Sequence, residues 1–262
     1  MPNIRPPAVA GRFYPGDPAR LRAYVEAALA EAARHEAPRE RVKAIVAPHA
    51  GYVYSGMTAA RAFAAAAGLP VRRVVLFGPA HTMAFRGIAA PQWRGFATPL
   101  GTVPVDEAAL AEISDLPQVV IGDAPHAREH SLEVELPFIQ ELFPGVPVLP
   151  LVVGEATPEE VAEVIERLDD GHTLFIVSSD LSHYEPYDSA RAHDAMTARR
   201  VAALEESALT PRDACGARPL AGLLLAARDK GWRPVLLDLR NSGDTAGDKS
   251  RVVGYGAWAF TA

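Results

Sequence analysis

Short apolar runs alternate with amphipathic helical patterns along this chain of 262 residues. The runs have the length and composition of buried strands, and they lie at 44–47, 74–77, 118–121, 146–153, 173–177, 234–239 and 252–260. The clearest helix start is Thr157-Pro158-Glu159-Glu160, a capping box with proline at the first helical position. This alternation predicts an α/β fold: a single domain over residues 1–262 with a central, mostly parallel (mixed) sheet flanked by helices.

The charge pattern and the composition argue against several classes of protein. The net charge is −6, and acidic and basic residues are interspersed without a basic stripe, so we expect no nucleic-acid partner. No apolar run approaches the ~20 residues of a transmembrane helix, and the first residues lack the apolar core of a signal peptide. The single cysteine, Cys215, cannot form an internal disulfide, which fits a reducing compartment. We therefore expect a cytoplasmic protein with no membrane partner.

Two histidines directly follow two of the predicted strands. His49 comes after Ala47-Pro48, and His81 comes after Gly78-Pro79-Ala80. Ligands of open α/β sheets bind beyond the carboxyl ends of the strands, so both histidines are expected to face one crevice. A single such histidine is more often a core or capping residue, but two at equivalent strand ends favour a metal site, because imidazole is the commonest metal ligand.

A carboxylate from a loop at the same sheet edge would complete this ligand set. Asp244, in the sequence NSGDTAGD after the strand at 234–239, is placed for this role. The same residues could equally form an Asx turn with Gly243. Two histidines and one carboxylate leave open positions on a metal, and such a set holds ferrous iron for oxygen chemistry or zinc with a bound water.

Further polar residues at strand ends and helix starts are candidates for catalysis. Asp180 and His183 share the sequence SSDLSH, and they could be an acid/base pair, residues that orient a ligand, or helix caps. His130 and Glu133 lie three residues apart on a helix predicted at about 129–143, so they face one side and could line the pocket. Glu133 could instead lie on the surface. Cys215 starts a predicted helix and could be reactive, although a buried structural cysteine is commoner.

Five ordered sequence blocks identify a family resemblance. The blocks are APHAGYVYSG, GPAHTMAF, EHSLEVELPF, SSDLSHYEPY and NSGDTAGDKSRVVGY. On these blocks the chain resembles the Memo family (mediator of cell motility), whose bacterial members are often called AmmeMemoRadiSam system protein B. The resemblance runs from RPPAVAGRFYPGDP to VVGYGAWAF and so covers essentially the whole chain.

The resemblance implies a fold similar to the extradiol, class III ring-cleaving dioxygenases, which use non-haem ferrous iron. Carried over by motif, His49 and His81 would be metal ligands, His183 would be the acid/base residue, and Asp244 would occupy the third ligand position. Some family members have cysteine at that position and the dioxygenases have glutamate, so the aspartate departs from both. The candidate catalytic residues are thus His183, Asp180 and His130, and ferrous iron is the expected metal, with zinc or copper as alternatives.

Two functions of different classes follow from the resemblance. The first is a metal-dependent oxidoreductase related to the ring-cleaving dioxygenases, acting on an unknown small molecule. The second is a non-catalytic metal- or peptide-binding adaptor, because eukaryotic relatives are described as binding phosphopeptides in the corresponding pocket. The bacterial family name also implies a radical SAM protein and an AMMECR1-like protein as partners. Against phosphopeptide binding, the site lacks an obvious arginine cluster for phosphate, although Arg12 and Arg128 lie close to the key motifs.

Overall fold

A mixed nine-stranded sheet forms the centre of the protein in the computed structural model, which describes residues 3–36 and 38–262. The helices are α1 (Pro18–Ala32), α2 (Tyr52–Ala65), α3 (Glu107–Ile113), α4 (Leu136–Leu142), α5 (Pro158–Leu168), α6 (Tyr187–Ala202) and α7 (Ala217–Lys230). Short 3-10 helices are formed by Glu133–Glu135, Glu206–Ala208 and Ser242–Asp244. Within the described part of the chain, no helix is long and apolar enough to cross a membrane.

The predicted strands are present in the predicted order, together with five short strands, β1, β4, β5, β6 and β10. They are β1 (Ile4–Arg5), β2 (Val42–Ala47), β3 (Arg73–Pro79), β4 (Ile88–Ala90), β5 (Gly95–Thr98), β6 (Gly101–Pro104), β7 (Val119–Ile121), β8 (Val148–Val153), β9 (Thr173–Ser178), β10 (His183–Glu185), β11 (Arg233–Asn241) and β12 (Val252–Thr261). The main sheet has the order β10-β12-β2-β9-β3-β8-β4-β7, with β11 paired to β12. Strands β1, β5 and β6 form a separate small sheet.

The centre of the main sheet is parallel and its flanks are mixed, as the sequence predicts. Strands β2, β9, β3 and β8 are mutually parallel neighbours. Strands β10, β11 and β12 add antiparallel pairings on one side, and β4 pairs antiparallel to β8 on the other. The parallel strands are linked by helical crossovers, and this places helices on both faces of the sheet.

Both faces of the sheet are buried, which explains why the central strands are continuous apolar runs rather than alternating ones. In β2, Ile45 and Ala47 face the layer of α1, α2 and α4, whereas Ala44 and Val46 face the layer of α3, α5, α6 and α7. The capping box at Thr157 is present, with Glu160 bonded back to the Thr157 backbone N–H. The predicted helix start is therefore confirmed.

The segment 129–143 differs from the single helix predicted for it. Residues 129 and 130 are irregular, residues 131 and 132 form a turn, the 3-10 helix Glu133–Glu135 follows, and α4 begins only at Leu136. The Glu129 carboxylate accepts the backbone N–H groups of His130 and Ser131, which holds the chain out of a helix at this point. His130 and Glu133 therefore do not share a helix face, and Glu133 is fully buried rather than on the surface.

A buried ion pair fixes the N-terminal segment to this loop. Arg5 Nη1 donates to Glu133 Oε2 at 2.7 Å, and both side chains are almost fully buried. Glu133 also accepts hydrogen bonds from the Ala8 and Val9 backbone N–H groups and from the Tyr14 hydroxyl. Both oxygens of this buried carboxylate have partners, so its negative charge is compensated. Removal of one partner would leave the charge incompletely compensated in the low-dielectric interior.

Arg5→Met should therefore destabilise the protein by about 3–5 kcal/mol, because it leaves the Glu133 carboxylate buried without its counter-charge. The matched control is Arg94→Met, which breaks the exposed pair with Glu107 and should cost at most about 1 kcal/mol. Urea unfolding of the three proteins measures both values. Equal losses in the two variants would contradict the structural role of Arg5.

His126 is a buried histidine with an incomplete set of partners. Its side chain is 1% exposed, Nε2 donates to the Ala89 carbonyl at 3.1 Å, and Nδ1 has no partner among the described residues. Burial, together with the smaller effect of the nearby positive charge of Arg5, lowers the pKa of His126 to about 3. The imidazole therefore stays neutral in the folded protein at pH values where it is protonated in the unfolded chain.

Stability should consequently fall as the pH drops from about 6.5 towards 3. In this window His126 binds a proton in the unfolded chain but not in the folded protein. The free energy of unfolding therefore falls by about 1.4 kcal/mol for each pH unit because of this residue. His126→Gln should have a shallower pH dependence of its unfolding free energy than the wild type, whereas exposed His35→Gln should match the wild type. Parallel pH curves for wild type and His126→Gln would refute this assignment.

Candidate metal centre

Three histidine side chains meet at the carboxyl-terminal edge of the parallel strands. His49 follows β2, His81 follows β3, and His130 lies in the turn before the 3-10 helix Glu133–Glu135. One ring nitrogen of each lies within 4.8 Å of a ring nitrogen of the other two. The ring centroids are 5.2 Å apart for His49 and His81, 5.4 Å for His49 and His130, and 4.8 Å for His81 and His130.

The sheet register accounts for the meeting of the first two histidines. Strand β9 lies between β2 and β3, and Ala47 of β2 pairs with Ser178 at the end of β9. Because parallel strands end at the same edge, the residues that follow them share one crevice. Gly78 of β3 admits the third histidine, since a Cβ atom there would lie 2.5 Å from Ser131 Oγ. Only glycine lets the turn that carries His130 come this close to β3.

His49 is oriented by a serine at the end of the neighbouring strand. Its Nδ1 lies 2.7 Å from Ser178 Oγ, and the Ser178 hydroxyl is within hydrogen-bond distance of the Ser131 carbonyl and of Glu135. With the hydroxyl proton donated to Ser131, we assign the donor in the serine–histidine contact to His49 Nδ1. Burial lowers the pKa of His49 well below its usual value. The ring is therefore neutral, and Nε2 is the nitrogen that carries the lone pair and can bind a metal.

His81 and His130 are both held by Glu129. The carboxylate lies 2.9 Å from His81 Nδ1, and it accepts the backbone N–H groups of His81 at 2.7 Å, His130 at 2.9 Å and Ser131 at 3.0 Å. Glu129 is almost completely buried, which opposes its ionisation, but the hydrogen bond and charge of His81 outweigh burial and lower the pKa of Glu129 to about 2. A permanent carboxylate behind a histidine fixes its tautomer and raises its basicity as a ligand.

His130 completes the group from the side of the N-terminal segment. The Phe13 ring meets it edge-on at 4.8 Å between centroids, and its Nδ1 is 3.4 Å from Glu129 Oε1. Burial lowers the pKa of His130. Like His49, it is thus favoured in the neutral form that metals bind.

Asp180 and Cys215 lie behind His49. Asp180 Oδ1 accepts the His49 backbone N–H at 2.9 Å, and burial raises the pKa of Asp180 to about 6 although the charge of His183 lowers it. Cys215 Sγ is 3.3 Å from His49 Nε2 and 3.3 Å from the Asp180 backbone nitrogen. Burial also raises the pKa of Cys215, so the thiol stays protonated and is a poor nucleophile.

The remaining predicted site residues, His183 and Asp244, are exposed. His183 is exposed at the start of β10, and its Nδ1 is 2.7 Å from the Leu181 carbonyl. Asp244 is exposed at the end of the 3-10 helix Ser242–Asp244, where it caps that helix by accepting the Asn241 N–H at 2.9 Å and also accepts the Tyr187 hydroxyl. Asp244 therefore has a local structural role, as a helix cap, that does not require a metal. Asp244 as a ligand and His183 as acid/base residue stay predictions.

Among the described residues, the side chains close enough to share an ion are His49, His81 and His130. The structure therefore joins two predicted ligands to a histidine that the sequence suggested for catalysis. Glu129 and Ser178 were missed by the sequence reasoning. The signal for Glu129 was its place next to His130 in EHSLEVELPF, and for Ser178 its place at the end of a buried strand.

Comparison with known proteins gives a consistent set of relatives. A family model described as Memo-like protein matches residues 5–259. A MEMO1 family protein of Sulfolobus acidocaldarius is 37% identical, with 96% of this chain and 97% of the relative aligned. The MEMO1 family protein MK0963 of Methanopyrus kandleri is also 37% identical, with 98% of each chain aligned.

A solved structure is similar in fold. The crystal structure of the uncharacterized protein JW3007 from Escherichia coli K12 superposes with a TM-score of 0.53 at 14% sequence identity. The match covers 84% of this chain and 99% of the other. At this identity the likeness concerns the α/β architecture alone.

Glu129→Gln should weaken Zn²⁺ binding by about 10- to 100-fold, the usual effect of losing a carboxylate behind a metal-binding histidine. The amide retains the shape of Glu129 but not the charge that orients His81. Competition with a chromophoric chelator measures the affinity. The matched control is Glu163→Gln, at an acid that hydrogen-bonds Gln118 far from the cluster, and it should bind like wild type. Unchanged affinity in Glu129→Gln would show that His81 needs no such support.

Proposed function

The chain belongs to the Memo family, and on this premise we propose that it is a metal-dependent protein whose ion is bound by His49, His81 and His130. The observation that carries the proposal is the convergence of three ring nitrogens within 4.8 Å of one another. We propose ferrous iron as the resident metal, with zinc or copper as the alternatives. The function is then that of an oxidoreductase related to the ring-cleaving dioxygenases.

The donor set fits such an ion. Three nitrogens bound to one ion at about 2.1 Å are about 3.0–3.6 Å apart, so two nitrogens separated by 4.8 Å would have to approach each other by about 1–2 Å on binding. Imidazole suits zinc, copper and iron rather than calcium or magnesium. Burial keeps His49 and His130 neutral, and Ser178 and Glu129 orient two of the three rings. The orientation and the protonation state of these rings thus suit a borderline metal.

The roles proposed for the surrounding residues follow from their positions. When bound, a ferrous ion supplies one-electron redox chemistry and open coordination positions. We propose that His183 moves the proton of the substrate, because its side chain is exposed and its Nδ1 is bonded to the Leu181 carbonyl, which leaves Nε2 to act. Asp180 would position His49 through the backbone N–H, and would share the acid/base role with His183 from the same loop.

A second candidate is the non-catalytic adaptor, and one cavity favours it. An open groove of about 530 Å³ lies beside the site, with Phe13, Tyr14, Tyr24 and Tyr52 on its walls and Arg12 at its edge. Aromatic walls with a flanking cation suit an extended peptide. In this alternative the metal would be structural, and a radical SAM protein and an AMMECR1-like protein would be the partners to test first.

The metal proposal is tested by elemental analysis of untagged protein purified without oxygen. The wild type should contain about one ion per chain, and His49→Ala, His81→Ala and His130→Ala should each lose it, because removal of one of three ligands breaks the set. His35→Ala, at an exposed histidine outside the cluster, is the control and should retain the metal.

Asp244→Ala distinguishes the two possible ligand sets. Retention of metal in Asp244→Ala together with its loss in His130→Ala supports the three-histidine set. The reverse pattern supports the two-histidine, one-carboxylate set that the family resemblance implies. A wild-type protein that takes up no metal, even after anaerobic reconstitution with ferrous iron, would refute the oxidoreductase proposal and favour the adaptor.

A further inference from the structure

A cavity of about 170 Å³ adjoins the histidine cluster on the side of α7. His81 and Cys215 both line it, and Cys215 Sγ is 3.3 Å from His49 Nε2. The cavity therefore opens onto the edge of the proposed metal site. A water occupies about 30 Å³ of liquid volume, so the space corresponds to about six waters or one small organic molecule.

The walls of this cavity combine polar groups with an apolar stretch. Ala84, Phe85, Val153 and Pro219 contribute hydrocarbon surface along its length. Small-molecule sites commonly combine such walls with a few polar groups that set the orientation of the ligand. The body of the ligand should therefore be apolar, and its specificity should come from the charged residues of the lining.

Arg218 is the only cation among the lining residues. It lies in the first turn of α7 with an exposed side chain, and no described residue forms an ion pair with it. Arg228 on the same helix is paired with Glu206 at 2.7 Å. The free guanidinium can therefore bind a carboxylate in a bidentate manner, and the positive end of the α7 dipole adds to the attraction.

Glu155 lines the same cavity and limits the charge of the ligand. Its backbone is fixed by pairing with Phe85 and Gly87, so the side chain starts from a rigid position. A second negative charge on the ligand would meet this carboxylate, since like charges at short range repel. The lining thus favours a monoanion over a dianion such as phosphate.

We propose that this cavity binds a small organic monocarboxylate, which would be the substrate. The carboxylate pairs with Arg218, and the apolar body of the molecule packs against Phe85 and Pro219. The far end of the molecule then lies beside His81 and Cys215, next to the proposed ion. Such an anchor holds the reacting end near the metal and reduces the entropy lost on reaction. This inference rests on the proposed metal-dependent function for its role, but the binding itself requires no ion.

The test is a titration of the full chain with 4-fluorobenzoate, followed by fluorine-19 NMR, on metal-free and Zn²⁺-loaded protein. Arg218→Gln should bind at least tenfold more weakly than wild type, because it removes the charge-assisted pair. Arg218→Lys should lie between the two, because it keeps the charge but not the planar fork. Arg212→Gln, at an exposed arginine a few residues away that does not line the cavity, should bind like wild type.

Inorganic phosphate should compete poorly with 4-fluorobenzoate in the wild type and better in Glu155→Gln. Equal 4-fluorobenzoate affinity in wild type and Arg218→Gln, or binding lost equally in Arg212→Gln, would overturn the assignment. Elemental analysis of the same samples separates the two proposals. Protein that holds zinc but binds no acid through Arg218 contradicts only the subsite. Protein that binds the acid through Arg218 but holds no metal contradicts only the metal-dependent function.

Discussion

The site depends on one constraint, which is that three parallel strands end at the same edge of the sheet. Strands β2, β9 and β3 are adjacent and in register, so the residues after them converge at one edge of the sheet. His49, Asp180 and His81 reach one crevice for this reason alone. The third histidine arrives by another route, because the turn at 129–132 can approach β3 only where Gly78 has no side chain.

Three glutamates in the sequence EHSLEVELPF show how environment decides the state of one residue type. Glu129 is held ionised by His81 and by backbone N–H groups, and Glu133 is paired with Arg5. Burial raises the pKa of Glu135 well above its usual value, so that it stays protonated beside Ser178. The three acids are all buried within one short segment, yet one orients metal-binding histidines, one fixes the N-terminal segment, and one supports the serine behind His49.

The same segment marks the limit of prediction from sequence. Its spacing of acidic and apolar residues is that of an amphipathic helix, and the predicted helix at 129–143 followed from it, with a surface position for Glu133 as one alternative. The helix begins only at Leu136 and Glu133 is buried, because the partners of these acids come from residues 5, 14, 81 and 178, far away in the chain. Hydrogen bonds of such long sequence separation leave no local periodicity.

The sequence by itself determined the fold class, the strand ends and the family, because buried strands, caps and ordered motif blocks are local signals. It also placed His49 and His81 at one sheet edge, since parallel strands carry their following residues to the same side. Only the tertiary structure decided that His130 lies with them, that Asp244 caps an exposed turn, and that Arg218 faces a cavity beside His81. Those arrangements depend on loop packing and on the close approach of chain segments, and neither is encoded in the periodicity of any one stretch.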